Sequence, residues 1–129
     1  MTRTLRLWGP VAGAMAGIFF VSSLHQAPLP PGVSDKSAHA AGYIVLGVTV
    51  VRALAGGLPA RITAAVALGA IAITTAYGAS DEWHQSFVPG RSSDVADLYA
   101  DAVGAVIAAA LCWACGILFS RPAVSGRSS

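Results

Sequence analysis

The sequence predicts an all-α integral membrane protein, a four-helix bundle with a polar cluster at its outer-leaflet end. Three observations carry this. Four mostly apolar stretches, residues 7–24, 38–55, 62–79 and 98–119, are each 18 to 22 residues long, and a bilayer core about 30 Å thick needs roughly 20 apolar residues per helix. Charged residues make up 11% of the chain and hydrophobic ones 55%, with a mean hydropathy of +0.66; a soluble domain carries about 25% charged residues. All six acidic residues and the three histidines fall in or directly beside two short polar windows, 24–38 and 80–101. Four spans in 129 residues leave almost no chain for anything else, so one transmembrane domain over 1–129 is expected.

The first span follows Arg3 and Arg6. It contains Gly9, Gly13 and Gly17 at four-residue spacing, a stripe whose ordinary meaning is close packing inside the bundle, with homodimerisation as the alternative. A cleaved secretory leader is not expected. The apolar run is long, no A-x-A site follows, and Pro28, Pro30 and Pro31 crowd the only position for one. The same prolines make 25–34 an external loop. Ser34 is then a natural N-cap for the second span, with Asp35 favourably placed in its first turn.

Gly56, Gly57 and Pro59 form a short turn, which makes the second and third spans an antiparallel hairpin. The third span is expected to continue to about Gln85, before Phe87-Val88-Pro89-Gly90-Arg91 breaks it. Ser92 or Ser93 can cap the fourth, starting near Asp94. Cys112 and Cys115 form a C-x-x-C inside the fourth span, where they read as small packing residues rather than a disulfide or metal pair.

Orientation follows from charge. Arg3, Arg6, Arg52, Arg61, Arg121 and Arg127 belong on one side, and only Lys36 and Arg91 on the other. The positive-inside rule places both termini in the cytoplasm and both polar windows on the outer face. The formal net charge of +2 gives no reason to expect a nucleic-acid partner.

At about 100° per residue, Asp35, His39 and Tyr43 line one stripe at the outer end of the second span, with Lys36 at its edge. Tyr77, Asp81 and His84 line a stripe of the third. Asp94, Asp97 and Asp101 line a stripe of the fourth, prolonged inwards by the small residues Gly104 and Ala108. Facing lipid, each charge would cost about 2.5 kcal/mol or more at depth, so the stripes are expected to face one another around a pocket that opens outwards. Lys36 and Arg91 can neutralise two of the six acids, and four remain unbalanced. His39, Asp81, His84, Arg91 and Asp97 are expected to form a site. Asp35, Glu82 and Asp94 also have the plainer reading of solvated helix-end charges.

These residues carry a resemblance. Ser34-Asp35-Lys36-Ser37-Ala38-His39, followed by Tyr43 and Gly47, resembles the D-K-x-x-H-x-x-x-Y segment of VanZ-like membrane proteins. Asp81-Glu82-Trp83-His84-Gln85-Ser86-Phe87-Val88-Pro89-Gly90-Arg91 is similar to that family's D-E-x-H-Q-x-F-x-P-G-R signature, and Asp97 and Gly104 match the D-x-x-x-N-x-x-G that follows. Asp101 departs from it, an acid where many members carry Asn. The resemblance covers 34–108 and implies a small helical membrane bundle. The family's namesake is linked to low-level resistance to teicoplanin, a glycopeptide that binds cell-wall precursors.

Three functions compete. The first is a binder or modifier of a membrane lipid or cell-wall lipid precursor head group. Its contacts would be Asp35, Lys36, Tyr43, Glu82, Gln85, Arg91, Asp94 and Asp101. Arg91 suits a phosphate oxygen, and the local negative charge calls for a divalent metal ion on Asp81 and Asp97, with His84 or His39 as a further ligand. If chemistry occurs, His39 or His84 is the acid or base. The second is a proton- or cation-coupled transporter, motivated by the depth of Asp97 and Asp101. The third is a non-catalytic clamp or docking protein. The oligomeric state is not set by the sequence.

Overall fold

The computed structural model describes residues 2–24, 29–90 and 94–119, apart from the side chain of Asp35. Four helices follow in order: α1 (Arg3–Ser22), α2 (Asp35–Ala55), α3 (Ala64–Gln85) and α4 (Val95–Phe119). All four are long and apolar enough to cross a membrane, and among the described residues there is no strand. The protein is a helical membrane bundle.

The helix starts follow local chemistry. Thr2, Ser34 and Thr63 each turn a side-chain oxygen to a backbone N–H in the first turn, of Leu5, Ser37 and Val66 respectively. At α4 the cap is Asp94, whose Oδ1 accepts from the Ala96 N–H at 2.9 Å. The serines expected there, Ser92 and Ser93, lie outside the described residues. Gly56 ends α2 in the left-handed conformation, at φ 79°, that a residue with a Cβ adopts only under strain. α3 runs to Gln85, one and a half turns beyond the apolar stretch 62–79, and so carries Asp81, Glu82 and His84 on regular helix.

α2 is the centre of the bundle and packs on α1, α3 and α4; α4 also packs on α3. Leu46, Val50 and Val51 are fully buried, joined by Val11, Ala53, Ala70, Ala109 and Cys112. Cys115, one turn on from Cys112, is exposed. The α2–α4 seam is made by missing side chains. A Cβ on Gly104 would lie 2.7 Å from the Ala40 carbonyl oxygen, and one on Gly47 would lie 2.6 Å from the Ala108 Cβ.

The glycine stripe of α1 does not pack inside the bundle. A Cβ on Gly9, Gly13 or Gly17 would meet nothing within 4 Å. The reason is that Leu7, Val11, Ala14, Met15 and Ile18 occupy the opposite face of α1 and fill the contact with the core. α1 touches α2 and, lightly, α3, and among the described residues it does not reach α4. Pro10 lies inside α1 and has no N–H for the carbonyl of Arg6. The Arg52 guanidinium of α2 donates to that oxygen at 2.9 Å, so the proline's missing bond becomes a tie between helices.

Candidate functional site

At the α3 C-terminal end of the bundle, four acids are buried together: Asp81 and Glu82 on α3, Asp97 and Asp101 on α4, with exposures of 4%, 6%, 5% and 0%. Asp101 can sit there because α3 presents a glycine to it. A Cβ on Gly78 would lie 2.9 Å from Asp101 Oδ2. Gly104, one turn below, lets α2 approach α4 closely enough to present His39. The small face of α4 is thus a condition for the polar cluster above it.

His39 Nδ1 stands 3.1 Å from Asp101 Oδ1 and 4.0 Å from Glu82 Oε1. One ligand atom from each of His39, Glu82 and Asp101 fits within 4.8 Å of the others, a spacing able to hold a metal ion. Tyr43, buried and stacked parallel to the His39 ring at 6.5 Å, donates its hydroxyl to Asp81 Oδ2 at 3.0 Å. Asp81 Oδ1 and Asp101 Oδ2 are buried with no hydrogen-bond partner among the described residues. Asp101 also lies within electrostatic reach of Asp81 and Asp97. Glu82 Oε2 accepts from the Asp94 backbone N–H at 3.3 Å, which ties the start of α4 to α3.

A second set of contacts joins α3 to α1. His84 Nε2 and the Ser23 hydroxyl are 3.0 Å apart, and the His84 ring stacks on Phe19 at 4.4 Å. Gln85 Nε2 donates to the Ser22 hydroxyl at 3.2 Å. Lower down, Tyr77 donates its hydroxyl to the Met15 carbonyl at 2.6 Å. His39 and His84 therefore stand in different surroundings, one among carboxylates and one against α1.

Between these two sets lies a cavity of about 210 Å³. His39, Tyr43, Asp81, Gln85 and Ser22 form its polar side, while Gly17, Ile18, Val21, Leu29, Ala38 and Gly42 form its apolar side. It is bounded by α1, α2, α3 and the segment before α2.

The expected site residues divide accordingly. His39, Tyr43, Asp81, Glu82 and Asp101 come together, and Asp97 is buried near Glu82 and Asp101. Gln85 joins Tyr43 and Asp81 at the cavity. Asp94 is exposed and caps α4, and Lys36 is exposed on the first turn of α2. Arg91 and the side chain of Asp35 lie outside the described residues. Among the carboxylates expected to carry a metal, Asp81 is bonded to Tyr43, whereas the group with ligand spacing is His39, Glu82 and Asp101. Sequence reasoning passed over Ser22, Ser23 and Gly78. The adjacent serines closing an otherwise apolar span were the available signal, while Gly78 had none.

A family model described as VanZ/LLP1 matches residues 33–119. The chain belongs to the VanZ/LLP1 family. The matched span takes in α2, α3 and α4, and with them every carboxylate of the buried cluster. No curated protein and no solved structure matches this chain. This VanZ-like protein is thus a multi-pass membrane protein whose site has to be read from its own residues.

Proposed function

We propose that this protein binds, at the outer leaflet of a bacterial plasma membrane, the head group of an envelope lipid or cell-wall lipid precursor, with both termini in the cytoplasm. The cavity carries this reading. Its lining divides between a histidine, a tyrosine, a carboxylate and an amide on the one hand and aliphatic side chains on the other, the two kinds adjoining along α1 and α2. That division suits an amphipathic ligand better than an ion or a soluble solute. The orientation rests on the arginines of the other end of the bundle.

Two further points support binding over transport. Away from the cluster the core is mainly apolar, built of Leu46, Val50, Val51, Ala53 and Ala70, and among the described residues the buried hydroxyls of Thr74 and Thr75 are too few to make a polar path across the membrane. Within the cluster, Asp101 holds the His39 ring by Nδ1, the arrangement that orients a histidine for acid–base work.

Glycopeptide susceptibility tests the reading in cells lacking the protein, complemented with wild type or with Gly42→Leu. The leucine adds bulk to the cavity from a position where a Cβ would meet only Ile18, at 3.9 Å. The expected result is loss of complementation at a normal membrane level. Complementation by Gly42→Leu equal to wild type overturns the cavity as the working site.

A further inference from the structure

We propose that His39, Glu82 and Asp101 bind one first-row divalent cation, such as Mn²⁺ or Zn²⁺, in the floor of this site. The argument begins with spacing. Zinc–nitrogen and zinc–oxygen bonds of about 2.1 Å at a tetrahedral angle put neighbouring ligand atoms about 3.4 Å apart. His39 Nδ1 is 3.1 Å from Asp101 Oδ1 and 4.0 Å from Glu82 Oε1. All three ligand atoms lie within 4.8 Å of one another, so side-chain adjustments on the order of 1 Å bring them onto one ion.

The second observation is independent of that spacing. Asp101 is fully buried, and its Oδ2 has no hydrogen-bond partner among the described residues. A buried carboxylate oxygen without a donor is costly to keep, and a cation gripped by both oxygens of Asp101 removes that cost. The same holds beside it for Asp81 Oδ1, placed in the cavity wall to receive a water or hydroxyl held on the ion.

The donor set selects the class of ion. One imidazole nitrogen with two carboxylates favours Mn²⁺, Fe²⁺ or Zn²⁺ over Mg²⁺ and Ca²⁺, which prefer oxygen alone. Three protein ligands leave coordination positions open, and His39 and Asp81 already border the cavity. An ion there offers the positive charge that a phosphate-bearing head group needs in an acidic site. The inference rests on the reading that this end of the bundle is a working site, yet its test uses no lipid and no cells, so the two can fail separately.

Full-length protein in detergent, stripped with chelator and dialysed against MnCl₂ or ZnCl₂, is assayed for bound metal per chain. One ion per wild-type chain is expected, with affinity lowered at least about tenfold by Glu82→Gln or Asp101→Asn and unchanged by Cys115→Ser, an exposed thiol at the far end of α4. Electron paramagnetic resonance of the Mn²⁺ form gives a readout that does not depend on the ligand variants folding. Nitrogen coupling is expected in wild type and in the His25→Gln, His84→Gln double variant, and is lost in His39→Gln. Absence of stoichiometric binding, binding without nitrogen coupling, or Mg²⁺ binding that equals Mn²⁺ and survives His39→Gln would each overturn the site.

Discussion

α1 and α4 both carry small residues at helical spacing, and the bundle uses them in opposite ways. On α4 the face running through Asp97, Asp101, Gly104, Ala108 and Cys112 is buried along its length. On α1 only Val11 and Ser22 are buried among the described residues, and a Cβ on any of its three spaced glycines would meet nothing within 4 Å, Gly17 bordering the cavity. The difference lies at the head of each stripe. The α4 stripe begins with two acids, which cannot face lipid cheaply, and turning them inwards turns the small residues below them inwards as well. The α1 stripe has no such anchor. α1 is instead held through polar ties at several heights, from Arg52, Tyr77, His84 and Gln85. Close backbone packing joins α4 to the bundle, and side-chain hydrogen bonds join α1 to it.

The largest expected effect comes from breaking the α4 seam. Gly104→Leu places a side chain where a Cβ alone would stand 2.7 Å from the Ala40 carbonyl oxygen and 3.1 Å from the Tyr43 Cβ. Backbone cannot yield as a side-chain tip can, so destabilisation of about 3 kcal/mol is expected, read from equilibrium unfolding in mixed micelles. Because the same approach presents His39 to Asp101, metal binding should fall with it. A loss of under about 1 kcal/mol would mean that the seam is looser than the structure has it.

An intermediate effect is expected for the α1 ties. Tyr77→Phe removes the hydroxyl that donates to the Met15 carbonyl, an oxygen that the backbone of α1 can itself satisfy. Hydrogen bonds between membrane helices average about 0.6 kcal/mol and reach about 1.7, so a loss of about 1 kcal/mol is expected in the same unfolding assay. If Tyr77→Phe instead matched Gly104→Leu, α1 would be as integral to the fold as α4.

The helices and the identity of the buried face of α4 were legible from the sequence because apolar length and acid spacing are local signals. Ser34 and Gly56 were legible for the same reason, as cap and turn chemistry act within a few residues. The partition of the site was less so. Asp81 and Glu82 are adjacent, so they point roughly 100° apart on α3. Yet both are buried, because α3 lies against α2 on one side and α4 on the other. Glu82 had the plain reading of a solvated helix end until α4 was placed beside it. His84 was read with His39 because both are histidines near one height, whereas the rotation of α3 sends His84 to Phe19 and Ser23 of α1. Which neighbour a helix face meets depends on helix order in space, and one chain's periodicity does not encode that order.

The smallest effect sharpens the comparison most. Gly13→Leu adds a large side chain at a glycine spaced like those of a packed interface, at a point where a Cβ meets nothing within 4 Å. Leucine is also the better helix former by roughly 0.5–1 kcal/mol, and lipid accepts its side chain. Stability is therefore expected to stay within about 0.5 kcal/mol of wild type or to rise slightly. A loss comparable to that of Gly104→Leu would require something to lie against this face of α1, and a second copy of the chain is the simplest such neighbour. In that case wild-type stability should rise with protein concentration while that of the variant does not, because only an association between copies depends on concentration. With no loss at either concentration, the glycines serve neither the bundle nor an assembly, and the buried acids of α4 account for why one small-residue stripe is packed and the other is not.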